Sequence, residues 1–156
     1  MHEMKWIPED IETYLNVKEY VDTVVVPLYG ISMDKEMKQS AEAAEFITLL
    51  TTRIERQFTG RLILFPPFTY LKKDPIEKAL ADLFEWHNVL KADFKHIFYL
   101  TSDSDWRLKE DMLQGTLIWL PSIPLKSMND SQKFELIDNQ SQQLFSILTD
   151  KWIESE

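Results

Sequence analysis

Residues 23–30 read Thr-Val-Val-Val-Pro-Leu-Tyr-Gly, and this stretch decides the fold. Its run from Thr23 to Val26 is continuously apolar or β-branched, which is typical of a strand buried on both faces of a parallel sheet. The chain then reads Pro27-Leu28-Tyr29-Gly30, where we expect the strand to end. Three later runs have the same character and predict three more strands: Arg61 to Phe65, His96 to Leu100 and Thr116 to Leu120.

Segments with helical periodicity separate these runs. A short helix is predicted from Pro8 to Tyr20, and longer ones from Asp34 to Phe58 and from Pro75 to Leu90, the latter capped by Asp74. A short helix from Asp105 to Leu113 follows the third strand. A last helix, capped by Ser127 or Asn129, carries an apolar stripe of Phe134, Ile137, Leu144, Leu148 and Trp152.

Alternating strands and helices predict parallel pairing, because each helix returns the chain to the same end of the sheet. We therefore expect one α/β domain over residues 1–156, with three layers and about four mostly parallel strands. A flavodoxin-like strand order of 2-1-3-4 is our prediction. The link between the third and fourth strands is short, so an antiparallel last pair is the alternative.

The composition excludes several classes of function. With 17 basic and 26 acidic residues the formal net charge is −9, which disfavours nucleic acid and anionic membranes as partners. A basic patch at Arg53, Arg56 and Arg61, with Lys72 and Lys73 further on, is the alternative, although Arg53 and Arg56 also suit a helix end. The absence of cysteine excludes disulfides and Cys-ligated metals. Lacking a secretory signal or a membrane-length apolar run, the chain is expected to be cytoplasmic, with no membrane insertion.

Familiar catalytic and cofactor motifs do not occur. The three glycines, Gly30, Gly60 and Gly115, are isolated, so neither a dinucleotide fingerprint nor a phosphate-binding loop can form. The histidines, His2, His87 and His96, lack metal-ligand spacing, and no serine lies in a nucleophile elbow. We therefore expect no metal and no cofactor, and favour a non-enzymatic role.

Polar residues follow the ends of the predicted strands. In an open parallel sheet, ligands bind beyond the carboxyl ends of the strands. The loops there would bring together a candidate ligand-binding rim of Tyr29, Thr69, Tyr70, Ser102, Asp103 and Ser122. The alternative interpretation is that the prolines merely stop strands while Ser and Asp cap helices.

Tryptophans near the ends of elements suggest a second kind of site. Large aromatic residues often anchor protein partners, which makes Trp106 and Trp152 candidate partner-binding residues. The alternative is that they fasten the helix ends to the sheet.

Several segments resemble the YpiF-like family, a group of uncharacterised proteins from Gram-positive spore-forming bacteria. The resemblance begins with Met4-Lys5-Trp6, Lys18 to Thr23 and Pro27-Leu28, and it continues through Glu55 to Phe58, Pro66 to Tyr70 and Trp119 to Ser122. The family has no established activity, so the resemblance assigns no catalytic residue. Its genes tend to lie near those of a menaquinol–cytochrome c reductase, which implies an accessory role in respiratory-complex expression or assembly.

Two functional hypotheses follow. The first is an accessory protein that binds an unidentified protein partner, with a homo-oligomer also allowed. The alternative is a small-molecule-binding protein or unrecognised enzyme that uses the strand-end rim.

Overall fold

The run that begins at Thr23 forms the central strand of the sheet. The computed structural model describes residues 3–155, and within that range the chain forms five strands, four α-helices and two 3-10 helices. The strands are β1 (Thr23–Ile31), β2 (Leu62–Leu64), β3 (Phe68–Leu71), β4 (His96–Thr101) and β5 (Thr116–Trp119). The α-helices are α1 (Pro8–Asn16), α2 (Met37–Gln57), α3 (Ile76–Leu90) and α4 (Asp130–Glu154), and the 3-10 helices span Lys18–Tyr20 and Ser104–Met112.

The strand order is β2-β1-β4-β5, with β3 also paired to β1 beyond β2. This is the predicted order, since β4 and β5 are the third and fourth predicted strands. Every pairing recorded in the described chain is parallel, including Phe98 with Thr116 at the β4–β5 junction. The antiparallel alternative for the last pair is therefore wrong.

Helices cover both faces of the sheet. On one face, Val24 and Val26 pack with Leu80 and Leu83 of α3 and with Tyr14 of α1. On the other face, residues of α2 and α4 pack around Val25 and Phe98, including Phe46, Leu50, Leu144 and Leu148. Continuous burial of the β1 side chains on both faces explains why residues 23–26 lack a polar alternation. The predicted three-layer α/β/α arrangement is confirmed.

The prediction that β1 ends near Pro27 is wrong. The strand continues to Ile31, with Pro27 in register with Leu100 of β4. Its second half pairs with β3, a strand that the sequence prediction treated as loop. Pro66 and Pro67 interrupt β2 without ending the pairing, so β2 and β3 flank the same side of β1.

A bulge separates β2 from β3. Val25 pairs with Leu64 and Leu28 pairs with Phe68, so two residues of β1 lie opposite the three residues 65–67. One extra residue reverses which face the following side chains occupy. Ile63 and Phe65 face the α1–α3 layer before the bulge, and Phe68 and Tyr70 face the same layer after it.

Of four smaller predictions, three need correction and one is confirmed. The predicted Asp105–Leu113 helix is a 3-10 helix, Ser104–Met112, and Phe134 is exposed rather than part of the α4 stripe. Pro75, not Asp74, occupies the cap position of α3. As predicted, Asn129 caps α4. Its side-chain oxygen accepts from the backbone N–H of Gln132, and the side-chain oxygen of Gln132 accepts from the backbone N–H of Asn129.

No helix within residues 3–155 combines the length and apolar character needed to cross a membrane.

Candidate functional site

A cavity of about 350 Å³ lies at the carboxyl end of the sheet, where the parallel strands finish. We call it the strand-end cavity. Its walls come from the end of β1, the first turns of α2 and the loops that follow β3, β4 and β5. Four residues of the predicted rim line it: Tyr29, Ser102, Asp103 and Ser122. The loops after neighbouring parallel strands therefore meet where the sequence predicted that they would.

The other two rim residues occupy different positions. Thr69 and Tyr70 line a smaller neighbouring depression of about 180 Å³, together with residues of α3. Thr69 is exposed, and its hydroxyl donates to the Pro67 carbonyl at 3.4 Å. The Tyr70 hydroxyl donates to the Asp103 carboxylate, which lines the cavity, although Tyr70 itself does not. The structure thus brings Tyr70 into contact with the cavity lining and leaves Thr69 outside.

Asp103 is the most densely hydrogen-bonded carboxylate of the site. Its side chain is 7% exposed, and it accepts from the Tyr70 hydroxyl, from Lys72 Nζ at 3.0 Å and from the Asp105 amide at 3.0 Å. The last bond caps the Ser104–Met112 3-10 helix, so the interpretation of Asp103 as a helix cap also holds. A buried carboxylate needs such donors to offset its loss of hydration.

Gly30 allows the contact between Lys72 and Asp103. Lys72 follows β3 and Asp103 follows β4, and these two strands lie on opposite sides of β1. The Lys72 side chain must therefore cross the backbone of β1, and it does so at Gly30. A Cβ at this position would lie 2.8 Å from Lys72 Cγ and 2.9 Å from the Tyr70 hydroxyl oxygen. Only a glycine leaves room for both side chains without displacement.

Trp106 completes this group, which we call the Asp103 clasp: Tyr70, Lys72, Asp103 and Trp106. The Trp106 indole donates to the Tyr70 hydroxyl at 2.7 Å, and the two rings pack edge to face with centroids 5.5 Å apart. Burial, followed by the nearby Asp103 carboxylate, raises the pKa of Tyr70 far above its ordinary value. Tyr70 therefore stays protonated and can relay a hydrogen bond from Trp106 to Asp103 at any physiological pH.

Five of the remaining cavity residues carry a hydroxyl group. Tyr29 hydrogen-bonds to Thr48 of α2, and burial raises the pKa of its phenol. The Ser102 hydroxyl is buried without a hydrogen-bond partner in the part of the chain that the structure describes. A buried polar atom of this kind costs free energy unless something binds it. Ser32, Ser40 and Ser122 add further hydroxyl groups to the lining.

The two tryptophans predicted to bind a partner are buried. Trp106 is 0% and Trp152 is 4% exposed. The Trp152 indole donates to Thr23 Oγ1 at 2.8 Å, and the Arg61 guanidinium lies 4.0 Å from the centre of the Trp152 ring. Neither residue presents a surface that a partner could contact. Their burial favours the alternative interpretation, in which each fastens a helical segment to the sheet.

An exposed apolar groove was not predicted. It has a volume of about 410 Å³, and we define the apolar groove by its lining residues: Trp6, Phe65, Pro66, Glu85, Trp86, Val89 and Leu90. Trp6 is 54% exposed and packs on Phe65 with ring centroids 4.7 Å apart. Trp6 and Trp86 are recognisable in the sequence, but nothing there indicates that α3, the bulge and the N-terminal segment meet.

The histidines and the basic patch have structural explanations. His87 Nδ1 lies 2.9 Å from the Tyr99 hydroxyl, and burial lowers the pKa of His87. His2 lies outside the described residues. Across residues 3–155, no three carboxylate or imidazole side chains are grouped so as to hold a metal ion. Arg53, Arg56 and Arg61 pair with Asp138, Glu3 and Asp22, respectively, so the candidate patch is spread over three ion pairs.

Comparison with known proteins gives a family without an assigned function. Residues 12–152 match the family described as "Protein of unknown function (DUF2487)". The chain is also 39% identical over 150 residues to "Uncharacterized protein YpiF" of Bacillus subtilis (strain 168), covering 96% of this chain and 98% of that protein. No solved structure matches. The chain therefore belongs to the DUF2487 family, and the resemblance drawn from its segments is confirmed.

Proposed function

We propose that this member of the DUF2487 family binds a small polar molecule in the strand-end cavity. The observation that carries the proposal is the cavity itself, in which the loops after the parallel strands enclose about 350 Å³ lined by Tyr29, Ser102, Asp103 and Ser122. This volume lies in the range of small-molecule sites. The location is also where open parallel sheets bind their ligands.

The unpaired Ser102 hydroxyl supports the same function. Ser102 lines the cavity, and within the described residues its hydroxyl has no hydrogen-bond partner. The Trp106, Tyr70 and Asp103 side chains beside it hold the wall in a fixed position, because each of them bonds the next. A site that is already formed binds its ligand with less loss of conformational entropy.

A cavity-filling variant tests this function. Ala43 lies in the cavity wall, whereas Ala41 is exposed on the same helix outside it. Wild-type protein, Ala43→Phe and Ala41→Phe would each be incubated with a small-molecule extract of the source cells and examined by native mass spectrometry. We expect a bound species on the wild type and Ala41→Phe that is lost from Ala43→Phe. Equal retention by all three folded proteins, or no bound species on the wild type, would contradict the proposal.

The apolar groove favours a second function, the binding of a protein partner. Val89 is 71% exposed beside Trp6 and Trp86, an arrangement that leaves apolar surface in water. Among the described residues that line the groove, Glu85 is the one charged side chain. We therefore propose as its occupant a segment that presents an apolar side chain next to a basic one. The accessory role in respiratory-complex expression or assembly, implied by the family resemblance, would act through this surface.

Crosslinked affinity purification tests the second function. Val89→Asp places a charge in the groove, and Leu108→Asp makes the same change at a residue that is also highly exposed but lies outside the groove. A partner protein retained by the wild type and Leu108→Asp but lost from Val89→Asp would support the proposal. A second copy of this chain as the captured species, or a partner insensitive to Val89→Asp, would contradict it.

A further inference from the structure

We propose that the ligand of the strand-end cavity is an organic cation, and that the Lys72 ammonium occupies its position on Asp103 when the ligand is absent. This inference rests on the proposed function and names the chemical class of the ligand. It follows from the charges of the lining, the geometry of the clasp and the reach of the Lys72 side chain.

The charges of the lining favour a cation. Within the described chain, the lining residues include three carboxylates, Glu36, Glu42 and Asp103, and one ammonium, Lys72. The cavity wall thus carries a net charge of −2 in a chain whose net charge is −9. An anionic ligand would meet repulsion from both, whereas a cation would be attracted to the wall as well as to the whole chain. The cavity volume of about 350 Å³ has room for an organic cation.

Asp103 already binds an ammonium. Lys72 Nζ lies 3.0 Å from Asp103 Oδ1 and 4.0 Å from Asp105 Oδ2, while the Lys72 side chain keeps 31% of its surface exposed. This ammonium belongs to the chain, but its position on a nearly buried carboxylate is the one that a ligand amine would take. Because Lys72 is partly exposed, its head group can move into water when another ammonium arrives.

The clasp makes this exchange inexpensive. The Tyr70 hydroxyl and the Asp105 amide hold Asp103 independently of Lys72, so the carboxylate stays in position if Lys72 leaves. Removing the ammonium alone would leave Asp103 with an unbalanced charge, and a bound cation restores that balance. The unpaired Ser102 hydroxyl and the nearby Ser122 supply hydrogen bonds for other polar groups of the same ligand.

A matched set of five-carbon compounds tests the inference by isothermal titration calorimetry. The probes are 1,5-diaminopentane, 1,5-pentanediol and glutarate, which share a chain length and differ in charge. We expect the wild-type protein to bind the diamine at least about tenfold more tightly than the diol, as expected for one hydrogen bond to a charged group, and not to bind glutarate. Tighter binding of the diol or of glutarate, or no binding of any probe, would overturn the inference. This comparison needs no variant.

Two substitutions give the sharper test. Lys72→Met keeps the side-chain stem over Gly30 but removes the competing ammonium, so diamine affinity should rise about tenfold. Lys73→Met makes the same charge change at an exposed residue outside the cavity and should have less than a twofold effect. Asp103→Asn should abolish diamine binding, whereas the matched loss of charge in Asp111→Asn should not. Unchanged or weaker diamine binding by folded Lys72→Met would overturn the inference.

Failure of this inference is separable from failure of the proposed function. If the cell extract yields a neutral or anionic species that Ala43→Phe loses, the cavity is a binding site and its ligand is not a cation. If the extract yields no species that depends on the cavity, the proposed function itself fails.

Discussion

At each end of the sheet a tryptophan indole donates to a hydroxyl group, but the surroundings of the two contacts differ. At the amino end, the Trp152 indole donates to Thr23 Oγ1, and the Arg61 guanidinium lies over its ring. At the carboxyl end, the Trp106 indole donates to the Tyr70 hydroxyl, which passes the bond to Asp103 at a cavity wall. The Trp152 contact is packed inside the chain, with Trp152 4% exposed, whereas the Trp106 contact borders the strand-end cavity. We call the first the closed end and the second the open end.

The cation near each indole explains the difference. Arg61 donates from its Nε to Asp22 at 3.2 Å while it lies over Trp152, so a planar cation packs on the indole at the amino end. At the carboxyl end the cation is Lys72, a flexible side chain that crosses β1 at Gly30 and keeps its head at the cavity. The lesson is that a buried tryptophan near the end of an element does not mark a binding site by itself. The polar groups that it supports decide whether a site exists.

The largest effect is expected at the closed end. Trp152→Ala should lower the free energy of unfolding by about 3–5 kcal/mol, because it empties a buried aromatic position and leaves Thr23 without its donor. Urea denaturation measures the change. Trp6→Ala deletes the same side chain where it is half exposed, and we expect a much smaller loss. Equal losses in the two variants would mean that Trp152 does not close this end.

The second effect breaks the clasp at the open end. Gly30→Ala should cost about 1–3 kcal/mol, because the new methyl group meets Lys72 Cγ and the Tyr70 hydroxyl at less than 3 Å. If the clash is the cause, truncation of Lys72 should relieve part of it. In a double-mutant cycle, Gly30→Ala with Lys72→Ala should therefore cost less than the sum of the two single changes. Additive losses would contradict a clash between the new methyl group and the Lys72 side chain that crosses β1 at Gly30.

A smaller effect is expected from the relay within the clasp. Tyr70→Phe keeps the ring but removes the hydroxyl that accepts from Trp106 and donates to Asp103. We expect a loss of about 1–2 kcal/mol in urea denaturation, since the Trp106 indole then lacks its acceptor and Asp103 loses one of its three donors. Tyr20→Phe, at an exposed tyrosine, serves as the control and should change stability by less than about 0.5 kcal/mol. Equal losses in the two variants would contradict a stabilising role for the Trp106–Tyr70–Asp103 hydrogen bonds.

The smallest effect has the opposite sign and concerns a carboxyl of the α2 C-terminal region. Glu55 is fully buried, and it accepts from the Met4 amide at 3.2 Å and from the Thr59 hydroxyl at 3.4 Å. Burial raises the pKa of Glu55, so between its ordinary and raised values the folded state holds more protons than the unfolded state. Stability contributed by protonated Glu55 is therefore lost as the pH rises through that window.

Glu55→Gln should remove this pH dependence. We expect the melting temperature at pH 7 to rise by about 2 °C, and the Glu55 contribution to vanish from a series of melts between pH 4 and pH 7. Glu45→Gln changes an exposed residue of the same helix and should leave the profile as in the wild type. A lower melting temperature for Glu55→Gln at pH 7 would show that its ionised form stabilises the fold.

Local patterns in the sequence predicted the architecture because each pattern has one dominant cause. Thr23 to Val26 could only be apolar on both sides if both faces are covered, and the long helices around it have a clear apolar stripe. Asn129 was one of two predicted caps, and its partner Gln132 lies at the spacing of a capping box. Such signals lie within a few residues of the feature that they predict.

The missed features depend on residues far apart in the chain. Pro66-Pro67 is an ordinary stop signal for a strand, and only the neighbouring β1 backbone shows that pairing resumes at Phe68. The rim prediction placed Tyr29, Ser102, Asp103 and Ser122 at one site, because loop positions in a parallel sheet follow from strand order. It did not include Lys72, because nothing in the sequence shows that this side chain crosses β1 at Gly30 to reach Asp103. Trp106 carries no local sign that its indole reaches Tyr70, 36 residues away.

The bulge at residues 65–67 acts as a phase shift for the rest of its strand. Side chains alternate between faces with a period of two, so an odd number of inserted residues exchanges the two faces. If residues 65–67 instead paired regularly with β1, Pro67 would lie opposite Leu28, so Thr69 and Leu71 would point towards the α1–α3 layer and Tyr70 would point towards α2. Trp106 would then have no hydroxyl to bind, and Asp103 would lose its supporting donor. Substitutions in this short segment should therefore preserve the site as long as they keep the bulge, and a substitution that lets the same residues pair regularly should lose the Tyr70 contact.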